Sequence, residues 1–235
     1  MCTADPAPIL GGVAWLPAIL AVAALGSAPP VTIAVVDTGA NVRVPAIAAK
    51  RPATYDIRTR GRDVRDMNGH GTVVASLVAR ASGNARLLIV RAGSSSGAFS
   101  DVNEAAAIRY AIGRGALLVA AAGDDYADRP EYPAALLGPS GLAVAAVTGT
   151  GIRAPFSNTG PWVSVAALGE RGTSFAAPLV AGAAARVWSA NPRLTARQVV
   201  ALLERTASGR GTRTDDLGYG VIDVAAALAL ARATP

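Results

Sequence analysis

Short, unbroken apolar runs alternate along the chain with longer amphipathic or apolar ones. V-T-I-A-V-V, residues 31–36, is β-branched and ended by D-T-G, which predicts a buried strand. R-L-L-I-V-R (86–91), residues 116–122 and L-A-V-A-A-V (142–147) repeat that pattern. Between them, the segment after His70 has helical spacing. Residues 101–112 open with Ser100 or Asp101 as N-cap and a glutamate one turn later, so they too predict a helix. Residues 173–190 are almost wholly apolar, which predicts a long buried helix. Thr195 and Gln198 form a capping box, and Asp223 caps a last Ala/Leu helix. Strand and helix in alternation predict an α/β fold of three layers, a mostly parallel sheet with helices on both faces. In such sheets functional residues gather at the carboxyl ends of strands and the amino ends of helices.

Composition changes this picture little. The apolar fraction is 51 % but aromatics supply only 5 %, so the core must be built from Ala, Val, Leu and Ile. The net charge of +6 comes almost entirely from arginine, Lys50 being the only lysine. The densest arginine stretch, residues 51–66, also carries acids and has only Tyr55 to stack on a base. It reads as a solvated loop, and no nucleic-acid partner is expected. Cys2 is the only cysteine, which excludes an intrachain disulfide. Residues 9–28 are apolar, but no Lys or Arg precedes them and Pro17 interrupts them. That suits neither a signal peptide nor a stable membrane span. Residues 1–30 are therefore expected to be an arm with a short helix at 19–25, a signal-like segment being the competing expectation. Residues 31–235 form the main domain.

Three polar residues sit where this fold puts chemistry. Asp37 directly follows the first strand. His70, the only histidine, begins a helix between Gly69 and Gly71. Ser174 begins the long apolar helix after Gly172 and Thr173. A serine hydroxyl is a poor nucleophile unless a base takes its proton, and histidine does so near neutral pH. A buried carboxylate fixes the imidazole tautomer and stabilises the imidazolium. The amino end of a helix under the serine offers free N–H groups to a developing oxyanion. Singly, each element has a plainer reading: a turn, a helix cap, a capping signal.

The order Asp, His, Ser and the surrounding strings resemble the subtilase family of serine proteases. I-A-V-V-D-T-G, N-G-H-G-T and G-T-S-F-A-A-P-L-V-A-G-A-A-A are similar to its three signature blocks. L-L-V-A-A-A-G, Y-P-A-A-L, F-S-N-T-G-P-W and G-Y-G-V-I-D-V are similar to its weaker ones, and Trp15 with Ile19 to its leading segment. The resemblance implies a serine endopeptidase working through an acyl-enzyme on extended peptide or protein substrates. Asp37 would orient, His70 would act as base then acid, and Ser174 would attack. It also implies substrate contacts at Ala122, Gly123, Asp125, Gly172 and Thr173, with pocket walls from 120–123 and 125–132. Asp125 and Asp128 hint at basic side chains, although solvated acids are the plainer reading. A secreted or periplasmic location and a propeptide or inhibitor partner follow from the same resemblance.

The chain departs from the family pattern in two places. Subtilases usually carry Asn after A-A-A-G as an oxyanion donor, whereas this chain has Asp124, beside the Ser174 amide. An ionised carboxylate there would repel the oxyanion. A protonated one, its pKa raised by burial, could donate, which implies weak activity in a narrow, mildly acidic window. Loss of such a donor costs about two to three orders of magnitude in turnover. Secondly, one βα unit, with the strand bearing Ser-Leu-Gly, is expected to be missing between residues 91 and 116. G-S-S-S-G (93–97) is a candidate substitute. The loop A-S-G-N-A (81–85) is too short to resemble the family's calcium loop, so neither metal nor cofactor is expected. A pseudo-protease kept for binding and an esterase with the same triad are the alternatives.

Overall fold

Seven of the extended runs join in one sheet, ordered β3-β4-β2-β1-β5-β6-β7. The computed structural model describes residues 19–23, 30–93 and 102–235, apart from the side chains of 19–23, 102 and 103. The strands are β1 (Ile19–Ala23), β2 (Thr32–Asp37), β3 (Ala53–Asp56), β4 (Arg86–Arg91), β5 (Leu117–Ala121), β6 (Gly141–Val147) and β7 (Val165–Leu168). All pair in parallel except β1, which runs antiparallel to both its neighbours. The helices are α1 (Pro45–Ala48), α2 (His70–Ala81), α3 (Val102–Gly113), α4 (Thr173–Ala190), α5 (Ala196–Thr206) and α6 (Val224–Ala233).

Alternation along β5 makes the three layers. Leu117, Val119 and Ala121 join the main core with residues of α2, α4, α5 and α6. Leu118 and Ala120 point the other way, onto Ile108 of α3 and Leu137. Every residue of β6 is buried, as befits a strand covered on both faces. The shortage of aromatics is met by close approach of backbones. A Cβ on Gly182 of α4 would lie 2.4 Å from Ala81 Cβ of α2, so the two helices touch where side chains are smallest. The α5 capping box forms in full: Thr195 N–H donates to Gln198 Oε1 at 2.8 Å and Gln198 N–H to Thr195 Oγ1 at 3.3 Å.

Where a helix is expected at 19–25, Ile19–Ala23 is instead a strand, and residues 24–25 lie outside the described residues. I-L-A-V-A is too short for periodicity to separate the two, and its setting decides. Ile19 pairs with Val36 on one side and Ala120 on the other, so one strand satisfies the backbone edges of both β2 and β5. Among the described residues the link from β4 to β5 holds a single helix, α3, as expected. The sheet is nevertheless continuous, because β1 fills the place between β2 and β5. Ser100, Asp101 and most of G-S-S-S-G lie outside the described residues. The arginine stretch expected as a loop contains β3, the edge strand. Among the described residues no helix is long and apolar enough to cross a membrane.

Candidate active site

Asp37 ends β2 and is 2 % exposed; Thr38 N–H donates to its Oδ1 at 2.7 Å. His70 opens α2, and its Nδ1 lies 2.8 Å from Asp37 Oδ1 and 3.1 Å from Oδ2. With Asp37 ionised, the shared proton sits on Nδ1 and leaves Nε2 as the acceptor. The hydrogen bond to Asp37 raises the His70 pKa. Burial opposes this, and the charges of Asp37, Asp66 and Asp124 add to the rise.

The two glycines flanking His70 serve different ends. Gly69 has φ +93° with nothing near its Cβ position, so its backbone conformation requires glycine. Gly71 is needed for space. A Cβ there would lie 2.2 Å from Gly39 O and 3.0 Å from Asp37 Oδ1. Gly71→Ala is therefore expected to destabilise the fold by about 1–3 kcal/mol through overpacking and to part the Asp37–His70 pair. Urea unfolding checks this, and an unchanged midpoint would show that the turn accommodates a methyl.

Asp66 and Thr38 fix this geometry, a role that the motifs do not assign to either. Asp66 accepts from Thr38 Oγ1, Asn68 N–H and Gly69 N–H on one oxygen, and from Thr72 N–H and Oγ1 on the other. Thr38 Oγ1 in turn accepts from Gly71 N–H at 3.0 Å. Burial works against the Asp66 carboxylate. Its bonds from Thr72, Gly69 and Thr38 outweigh that and hold its pKa below the usual range. An acid before H-G-T was the only sequence signal for this cap.

Ser174 is the second residue of α4, after Gly172 at φ +148°. Its neighbourhood is tied to the end of β5. Gly123 N–H donates to Thr173 Oγ1 at 3.1 Å, and Thr173 N–H to Asp124 Oδ1 at 2.8 Å. Asp124, which holds Ser174's helix end, also adds its charge to those that raise the His70 pKa. No hydrogen bond joins Ser174 Oγ to His70 among the described residues, and such contacts often tighten only on substrate binding. Asp124 is exposed, so the burial invoked for a protonated donor is lacking. Its Oδ1 accepts the first amide of α4, a bond that uses a lone pair.

The other expected contact residues divide. Gly123, Gly172 and Thr173 lie at this junction, whereas Ala122 is fully buried with its N–H bonded to Val144 O. Asp125 and Asp128 are exposed, with Arg129 3.9 Å from Asp125. Glu131, not singled out by any motif, stands closer in: a Cβ on Gly123 would lie 2.9 Å from its Cγ. Burial, then the charge of Asp125, raises its pKa against Arg129, with Asp124 adding to the rise. Asn158 shapes the loop from behind, accepting from Asp125 N–H and Ala127 N–H. Among the described residues no three His, Cys, Asp or Glu side chains cluster as metal ligands.

Comparison with known proteins gives the family. The family model described as "Subtilase family" matches residues 29–116 and 90–221. The thermophilic serine proteinase of Bacillus sp. (strain AK1) is 31 % identical over 77 % of this chain and 58 % of its own length. Alkaline serine exoprotease A of Vibrio alginolyticus is 30 % identical over 78 % of this chain and 43 % of its own. The chain thus spans about half the length of these relatives. In fold it is similar to a protease from Pseudoalteromonas arctica PAMC 21717, with a TM-score of 0.72 and 23 % identity over 85 % of this chain and 89 % of that one. With the sheet, the Asp37–His70 pair and these matches together, the chain belongs to the subtilase family, peptidase S8.

Proposed function

We propose that the chain is a serine endopeptidase that hydrolyses peptide bonds through an acyl-enzyme, with Asp37, His70 and Ser174 as its triad. The observation carrying this reading is the Asp37–His70 pair at 2.8 Å, with the carboxylate buried and the imidazole part-exposed. Ser174 Oγ attacks the scissile carbonyl carbon while its proton passes to His70 Nε2. The oxyanion forms near the amino end of α4, with the Ser174 N–H as donor. As the C–N bond breaks, His70 returns the proton to the leaving amine. Water then attacks the ester, giving one proton to His70. Collapse releases the carboxylic acid and returns that proton to Ser174 Oγ. The substrates are peptides or proteins in extended form, and a location outside the cytoplasm rests on the family alone.

His70 must be neutral to act as base. Its raised pKa keeps it protonated to a higher pH than a free histidine, so the acid limb of kcat/KM is expected above about 6.5. Removing the hydrogen-bonding charge with Asp37→Asn should move that limb down. A pH–rate profile rising fully by pH 5 would contradict the assignment. This replaces the mildly acidic window, which depended on a buried Asp124.

A second reading, a pseudo-protease that binds without turnover, is favoured by one observation: the Asp124 carboxylate on the amino end of α4. Labelling with a fluorophosphonate across pH 4 to 9 separates the two readings. Labelling that disappears in Ser174→Ala and His70→Ala supports the peptidase; none in folded protein supports the binder.

A further inference from the structure

We propose that a cleft beside the His70 loop binds an acidic stretch of the polypeptide substrate, an inference that rests on the protease reading above. The cleft holds about 530 Å³ between residues 40–43, Thr54 of β3 and residues 62–67. Both long walls lead out of the site. The first continues from the D-T-G turn that carries Asp37, and the second runs into the turn before His70. They are bonded to each other and to α2: Ala40 N–H donates to Val64 O at 2.8 Å, and Asn41 N–H to Thr72 Oγ1 at 2.9 Å.

The charges in the cleft do not cancel. Asp63 is taken by Arg65 at 2.8 Å, and Asp66 keeps its charge but has its oxygens turned to Thr38 and Thr72, so three arginines stand against two carboxylates. That leaves Arg43 and Arg62, one from each wall, both exposed and in no ion pair among the described residues. Their backbones are anchored: Arg43 N–H donates to Asn41 Oδ1, and Arg62 O accepts from Thr54 Oγ1. A guanidinium presents a planar fork that fits a carboxylate in two bonds. Val42 and Met67, the latter 80 % exposed, supply apolar surface for the stems and neighbours of acidic side chains. No aromatic ring lines the cleft to stack on a base, so a peptide fits it better than a nucleic acid.

Fluorescence anisotropy on the Ser174→Ala protein tests this with three probes of one length: a glutamate-flanked peptide, its glutamine counterpart and a single-stranded oligonucleotide of equal charge. The glutamate peptide is expected to bind about three- to tenfold more tightly than the glutamine one. That preference should vanish when Arg43→Gln and Arg62→Gln are added, and in about 0.5 M salt. Equal affinities, a preference that survives the added changes, an oligonucleotide that binds as tightly, or no binding at all would each overturn the proposal. Fluorophosphonate labelling with Ser174 restored keeps the two ideas apart. Labelling without an acidic preference removes only the cleft proposal, and preference without labelling removes only the protease reading.

Discussion

Replacing Ser174 with alanine is expected to lower peptide-bond hydrolysis by about five to six orders of magnitude with little change in KM. The hydroxyl supplies the bond-forming electrons, and nothing else at the α4 amino end replaces it: Thr173, its neighbour, is 1 % exposed and its Oγ1 is engaged by Gly123 N–H. His70→Ala should cost about as much, and the double variant no more, because nucleophile and base act as one unit. Asp37→Asn should cost roughly four orders, since an amide leaves the imidazole in the wrong tautomer. Single-turnover kinetics on a fluorogenic peptide read all four. A loss below tenfold in Ser174→Ala would place the nucleophile elsewhere. Additive losses would mean that His70 and Ser174 work separately.

Asp124→Asn is expected to raise turnover by about two to three orders of magnitude. The exchange is close to isosteric. The amide oxygen can keep the bond that Oδ1 now accepts from Thr173 N–H, while its –NH₂ takes the place of Oδ2. That atom lies 2.9 Å from where a Gly172 Cβ would stand, against the turn that leads to Ser174. A repelling charge thus becomes a donor. The same change removes one of the charges that raise the His70 pKa, so the acid limb should move down as kcat rises. A modest cost of about 0.3–1 kcal/mol is expected from losing an anion at the helix amino end. If the limb moves and kcat does not, Asp124 acts on His70 alone and has no part in the oxyanion site. If neither changes, the carboxylate is electrostatically idle.

Local signals made the centre of the site legible. A strand ended by D-T-G, a histidine between glycines and a serine opening an apolar helix each announce an element terminus within a few residues. The fold then unites Asp37 and His70 across 33 positions of sequence. Contacts chosen by tertiary neighbours left no such trace. Asp66 looks like one more loop acid until Thr38 and Thr72 close on it. Glu131 is unremarked in sequence because only the folding back of the loop after β5 sets it against Gly123. The exposure of Asp124 was equally invisible, and the pH expectation changed with it. For β1 the physical limit is plain: five small apolar residues suit a helix or a strand, and only the two waiting edges of β2 and β5 decide.

That central antiparallel strand also orders events in time. β1 and β2 meet over a short separation, so their pairing can form early, as local hairpins do within microseconds. The other edge of β1 waits for β5, roughly 100 residues further along the chain, and closing so long a loop is slow. Once β4 has covered the outer edge of β2, the β1 edge of the hairpin still stands unpaired while α3 and the site's second half are to come. That edge is where a wrong strand, from the same chain or another, would compete. Union of the two halves of the sheet across β1 is then also the step that brings the strand ending in Asp37 and the strand leading to Gly123 into one sheet, so the part of the site around Gly123 and Ser174 joins the Asp37–His70 pair late.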